Sequence, residues 1–397
     1  MAVTDISADI KKRRQQKKIK RALKKLIVIL VIAVIALAII LTRSLWYPRL
    51  NGILNKIPTT ESTAELAEGY FPLSIEGGSS YQLDGLDNGF CVLDDSRYFA
   101  YNLNGKQLFA EQHTFSNPIL TTSQKKALIY DLGGKSFRLM TKYKQVYEIK
   151  TEAPILLARI SSNDCAAVVT KSEKFMASLM IYDANGNNIF NYSSVNRIID
   201  ICFNNDNDGC YITTLGSKGG ALVSEILYYK FNKINYDDLG NPVPIWKTGN
   251  IETLALAVKT FGSDKIIVIG DTRCEYFDIN GILIDSYEYE RDLKDYEVSS
   301  ELCALIFDDD ERRCSTLVTI DSISNEINVI PLDYMAINVE CEQGIVYIHS
   351  RTEIASYTSA GDLITSTELL ADYDDFVRID KHIFLLGYDE INRIDYN

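Results

Sequence analysis

A beat of about 42 residues is the feature that most restricts how this chain can fold. Short, nearly continuous apolar runs stand at "GFCVLD" (89), "KALIYD" (126), "DCAAVVT" (164), "GCYITT" (209), "DKIIVIG" (264), "ELCALIF" (301), "GIVYIH" (344) and "KHIFLLG" (381). From Gly89 to Lys381 is 292 residues over seven intervals. Runs this short and this rich in Val, Ile and Tyr read as strands covered on both faces.

A second motif keeps the same time. "YNLNGKQLF" (101), "YDANGNNIF" (182), "FDINGILID" (277) and "YTSAGDLIT" (357) share an aromatic residue, a polar residue, two more residues and a glycine, then return to an apolar strand. Glycine supplies the positive φ of a tight hairpin turn, and the polar side chain ahead of it can bond the turn backbone. Glycines 105, 186, 281 and 361 are 81, 95 and 80 residues apart, twice the beat. Weaker strand-turn-strand copies at 137–149, 225–238 and 315–330 fill the gaps, and "EINRIDYN" ends the chain as a truncated eighth. With a further strand ahead of each apolar run, every unit holds four strands. Units of about 40 to 45 residues with four strands are β-propeller blades.

The expected fold is therefore all-β, a propeller of about eight four-stranded blades over residues 70–397. Seven blades is the alternative if the least regular stretch, 220–250, does not form a unit. Because the chain ends on a third strand, the strand near "YFPLSI" (70) is expected to complete the last blade and close the ring.

The first residues belong to something else. Residues 1–25 form a basic tail with ten Lys/Arg between 11 and 25, followed by sixteen consecutive apolar residues, Leu26 to Leu41. Leu45, Trp46 and Tyr47 extend this run, so 26–46 reads as one transmembrane helix in the lipid bilayer. "TRSLWYPRL" offers neither a small-x-small cleavage site nor a lipidated Cys, which selects an anchor over a cleaved signal peptide. The basic excess ahead of the helix places the N-terminus in the cytoplasm and the propeller outside the cell membrane, with 47–69 as linker. Residues 1–48 hold 11 Lys/Arg and 2 Asp/Glu, leaving 30 basic and 52 acidic residues beyond, a net charge of −22. Such a surface excludes nucleic acid and suits a protein, a neutral glycan or cations.

The eight cysteines show no CxxC spacing, and most sit inside apolar runs as small core residues. Two pairs, Cys202/Cys210 and Cys303/Cys314, flank turns and could face one another as cross-strand disulfides, subject to a narrow Cβ separation.

"YNLNGKQLF" resembles the repeat of quinoprotein-like bacterial propellers, in which an aspartate and a Gly-Lys turn recur at the outer hairpin. The blades are quinoprotein-like or WD-repeat-like in plan, although the WD signature is absent. With its basic tail and membrane helix, the whole chain resembles an uncharacterised membrane-anchored β-propeller family of Gram-positive, clostridia-like bacteria. That resemblance implies a fold and a location and no activity. Quinoprotein repeats place a Trp after the turn to pack between blades; here only Trp46 and Trp246 exist, so Phe, Tyr and Ile take that place and no quinone cofactor is expected.

Candidate sites fall on the two loop faces. "NNDNDGCY" sets Asn204, Asp206 and Asp208 at alternate positions, half of a calcium loop, but position twelve is Leu215, so an acidic turn without metal is expected. On the face carrying inter-blade loops, Tyr289, Arg291, Asp292, Arg312 and Tyr373 mix aromatic and charged groups as recognition surfaces do. Three histidines without metal spacing and no Gly-x-Ser-x-Gly elbow argue against an enzyme. The expected function is an envelope scaffold or sensor binding another envelope protein or a glycan. The alternative is a glycan-cleaving hydrolase or lyase using loop-face carboxylates.

Overall fold

The computed structural model describes residues 62–63, 70–76, 80–123, 125–238 and 240–395, all within a compact unit spanning Thr59–Asn397. The basic tail and the segment 26–46 lie outside the described residues; among the described residues no helix is long and apolar enough to cross a membrane.

Eight antiparallel four-stranded sheets follow one another along the chain. Blades one to seven occupy 82–112, 118–150, 155–194, 197–247, 255–288, 293–331 and 336–368; the strands between 375 and 395 belong to blade eight. Each runs from an inner strand a to an outer strand d. Blade eight takes its strand d from the other end of the chain: Leu73–Ser74 pairs antiparallel with Glu390–Asp395, Leu73 opposite Ile391 and Ser74 opposite Glu390. The inner strands of blades eight and one touch, so the ring is closed. Ser62–Thr63 lies parallel on the outer edge of blade seven. The irregular stretch is a full blade: its strands b and c lengthen to Gly209–Lys218 and Ala221–Lys230, its strand d shrinks to Trp246–Lys247, and a short hairpin, Asn235–Tyr236 with Pro242–Val243, is inserted between them.

The core is divided among the blade interfaces. Eight apolar clusters lie one between each adjacent pair of blades. Strand b explains its own sequence: Ala127 and Ile129 enter the cluster toward blade one, while Leu128 and Tyr130 enter the cluster toward blade three. With period-2 geometry and both faces covered, no position is left for a polar residue, and the run is continuous.

The repeated turn is built from its own residues. Asn102, Asp183 and Asp278 each accept two backbone N–H groups through Oδ1, from residues i+2 and i+4, at 2.8 to 3.0 Å; Thr358 accepts the i+4 N–H at 3.1 Å. A β-bulge precedes every copy, and the glycines have φ between 78° and 90°. The glycine has a second reason. A Cβ on Gly281 would stand 2.6 Å from the Trp246 ring, on Gly361 2.4 Å from Ile330, on Gly186 3.3 Å from Tyr147, and on Gly105 3.1 Å from Phe71. In all four cases the neighbour sits in, or just ahead of, strand d of the preceding blade, so the turn doubles as an inter-blade seat. It occurs in blades one, three, five and seven, which accounts for the doubled spacing.

All eight cysteines are free. Cys202 faces Tyr211 while Cys210 faces Phe203, a one-residue offset that sends the thiols to opposite faces of the sheet. Cys303 pairs with Ile320, and Cys314 with Asp309 at the far end of the hairpin. Neither candidate cross-strand pair meets.

Candidate functional site

Connections from strand d to the next strand a share one face with the b-to-c turns; this is the loop face. The opposite, turn face carries the a-to-b and c-to-d turns. On the loop face the structure gathers Arg291 and Arg312 around one carboxylate: Arg291 Nη2 lies 2.9 Å and Arg312 Nε 3.6 Å from Asp309 Oδ2. Asp292 is exposed beside them. Tyr289 is turned inward instead, its ring 5.1 Å from Phe307 and its hydroxyl buried, which pushes the phenol pKa up. Tyr373 lies apart from this group at blade eight and is 5 % exposed, its hydroxyl accepting from Asn392 Nδ2 at 3.1 Å. The two tyrosines thus serve the core, and the loop face offers other apolar groups. Near Tyr373, Leu370 and Tyr388 are 64 % and 67 % exposed, and Arg351 and Asp372 pair in solvent at 3.8 Å. Nothing local in "LADYDD" or "GYDE" separates the buried tyrosine from the exposed one; the packing of Gly387 against the Tyr373 ring does.

The half calcium loop lies on the turn face and spends its ligands on the protein. Asn204 Oδ1 accepts from the Gly209 N–H at 2.9 Å and Asn204 Nδ2 donates to Asp208 Oδ1 at 2.8 Å. Asp208 Oδ2 pairs with Lys230 Nζ at 2.9 Å, and Asp206 is exposed. Asn205 and Asn207 of the same turn bond to Gly262 and Ser162, tying blade four to both neighbours. Among the described residues no three His, Cys, Asp or Glu side chains are grouped so as to hold a metal ion.

The axis holds a site that sequence reading missed. An inner strand has one unpaired edge, and its N–H groups need partners. They come from the preceding blade: Gln82 Oε1 accepts from Leu120 N at 2.9 Å, Asp200 Oδ2 from Val258 N at 3.1 Å and Asp295 Oδ2 from Val339 N at 3.0 Å. Asp200 is balanced by Arg159, Nε to Oδ1 at 2.9 Å. The other side of the axis collects Asp84, Asp295, Glu297, Glu340 and Asp375. Burial first, then mutual repulsion, pushes Glu340 well above the usual carboxylate range. Burial likewise lifts Glu297 to about 7, against the pull of Lys259, and Asp375 to about 6. His349 Nδ1 donates to Asn338 Oδ1 at 3.3 Å and Asn338 Nδ2 to Asp375 Oδ1 at 3.1 Å, while burial pushes the imidazole down to about 4. The spacing of these carboxylates in "LKDYEV" and "INVECE" is that of any half-buried strand, so only ring closure shows that they converge.

His113, His349 and His382 are all buried. The loop-face carboxylates Asp308 and Asp309 are engaged, Asp308 by Ser315 and Lys294 and Asp309 by the two arginines.

No curated protein matches the chain. Among solved structures it is similar to BamB from Moraxella catarrhalis, with a TM-score of 0.54 and 11 % identity over 84 % of this chain and 100 % of that one. It is also similar to Sqt1 from Chaetomium thermophilum, solved bound to the N-terminus of the ribosomal protein L10, with a TM-score of 0.55 and 12 % identity over 79 % of this chain and 96 % of that one. Apo AztD from Citrobacter koseri gives a TM-score of 0.51 and 10 % identity over 75 % and 88 %. At these identities the likeness is one of fold. A family profile matches nearly all of the propeller, residues 72–395, and on that match the chain belongs to the family described as a family of unknown function, DUF5711.

Proposed function

We propose that the propeller is a non-catalytic binding platform, held at the outer surface of a cell membrane by residues 26–46 with its N-terminus in the cytoplasm, and acting as scaffold or sensor for another envelope protein. One observation carries this reading. The loop face displays large apolar and cationic side chains that the ring does not require: Leu370 and Tyr388 beside Arg351, and Arg312 with 79 % of its side chain exposed. Exposed aromatic and arginine groups of this kind dominate protein recognition sites. The Sqt1 structure, bound to the N-terminus of L10, supports the general idea that a ring of this fold engages a protein on its surface.

The test is a crosslinking pulldown from membranes with the full chain, compared with a variant carrying Arg291→Ala, Arg312→Ala, Leu370→Ala and Tyr388→Ala. Loss of a specific partner with an unchanged melting temperature supports the reading; an identical partner list removes this face. Turnover of a glycan by the purified full chain would favour a carbohydrate-active enzyme instead.

A further inference from the structure

The turn face has an apolar arc that the turn chemistry does not explain. Ile245, Ile279, Ile282 and Ile323 lie at the c-to-d connections of the consecutive blades four, five and six and are 45 %, 48 %, 65 % and 79 % exposed. The repeat itself shows that these positions tolerate other residues. Where blade five has Ile279, the matching turns have Leu103, Ala184 and Ser359; where it has Ile282, they have Lys106, Asn187 and Asp362. In all four turns the two backbone–backbone bonds are the same, from the first turn residue N–H to the carbonyl four residues on and from the glycine N–H back to the first carbonyl, so the isoleucine side chains contribute nothing to the turn.

Two further observations indicate what covers the arc. The carboxylates within it are turned to backbone: Asp278 Oδ1 accepts from Asn280 N and Ile282 N, Asp321 Oδ1 from Ile323 N and Ser324 N, and Asp237 Oδ1 from Asn241 N. The chain leading into strand d of the last blade also enters from this face, since Tyr70, 60 % exposed, packs its Cβ near Gly105 in the c-to-d turn of blade one. The sequence ahead of Tyr70 contains the apolar run Leu26 to Leu41.

We infer that the Ile245–Ile279–Ile282–Ile323 arc rests on the lipid surface of the membrane that anchors the chain. The inference rests on the anchored-platform reading and adds a lipid contact to it. The isoleucine tips suit the acyl and zwitterionic headgroup zone; of the lysines on this face, Lys230 Nζ is paired with Asp208 and Lys265 Nζ bonds Ser322 O and Asn325 Oδ1, while Lys233 is exposed in the blade-four connection. Asp238, Asp264, Glu301 and Glu326 nearby make anionic lipid the poorer partner.

The full chain is reconstituted into phosphatidylcholine nanodiscs with the photocrosslinker p-benzoylphenylalanine at position 282, at position 323, or at position 388 on the loop face. Flotation is scored first, then lipid adducts by mass spectrometry. The expected result is co-flotation with at least tenfold more lipid adduct at 282 and 323 than at 388. Co-flotation with equal yields at the three positions overturns the lipid contact and leaves the anchor standing. Failure to co-float overturns both. Protein adducts in place of lipid adducts at 282 and 323 in native membranes would assign the arc to a protein and overturn the proposal.

Discussion

Replacing Gly281 by Ala tests whether the repeated turn is also an inter-blade seat. Its φ of +80° costs an L-residue about 1–2 kcal/mol. Beyond that, the new methyl would lie 2.6 Å from Trp246 Cε3 and 2.7 Å from Cζ3. The indole cannot simply move aside. Trp246 Nε1 donates to Ile279 O at 2.9 Å, and its ring lies 5.9 Å and 5.6 Å from Tyr211 and Tyr228. Overpacking of this kind costs about 1–3 kcal/mol, for a total of about 2–5 kcal/mol. Gly133 isolates the backbone term: its φ is +83° and a Cβ there meets nothing within 4 Å, so Gly133→Ala should cost only the first about 1–2 kcal/mol. Urea unfolding of the full chain in detergent, followed by circular dichroism, measures both as shifts of the midpoint at constant slope. Trp246→Ala in the Gly281→Ala background should recover most of the difference, as a coupling energy in a double-mutant cycle. Equal destabilisation by the two glycine substitutions, or no coupling to Trp246, would refute the reasoning.

Three other outcomes are expected. Because Glu297 is raised from 4.5 to about 7 and Asp375 from 3.8 to about 6, the folded ring holds more protons than the unfolded chain between about pH 4 and 7. Stability should therefore fall as pH rises through that window, by up to about 3 kcal/mol for Glu297. Glu297→Gln should raise the melting temperature at pH 8 and leave it nearly unchanged at pH 5; a melting temperature that rises steadily from pH 5 to 8 would sink this account. Thiol titration should find eight reactive groups after denaturation without reductant, and fewer than eight would mean that a disulfide forms. Millimolar calcium against chelator should leave the melting temperature unchanged, since Asn204 and Asp208 are bonded to Gly209 and Lys230; a rise with calcium would show that the turn opens to bind it.

The blade architecture was legible because its determinants are local. A turn closed by Asn102, Asp183 or Asp278 needs only the next four residues, and a both-sides-buried strand such as Ala127–Asp131 declares itself as an unbroken apolar run. The arrangement of the loop-face residues was not legible. Arg291 and Arg312 meet at Asp309, a convergence that neither loop announces in sequence, whereas Tyr289 and Tyr373 pack toward the core and Leu370 and Tyr388 take exposed positions.

The sequence by itself determined the kind of repeating unit and its beat, the closure of the last blade by a strand near residue 70, and the apolar run ahead of the propeller, since all three depend on residue type and spacing along the chain; that the irregular stretch forms a full blade, making eight and not seven, was decided by the tertiary structure. Only the tertiary structure decided which cysteines face one another, which tyrosine is buried, that carboxylates from blades one, six, seven and eight meet at the axis, and that each turn glycine seats a residue of the blade before it. Those outcomes depend on groups brought together from separate stretches of the chain, such as Gly281 with Trp246 and Gly361 with Ile330 on adjacent blades, or on a one-residue register, and none of them is set by residue type at its own position.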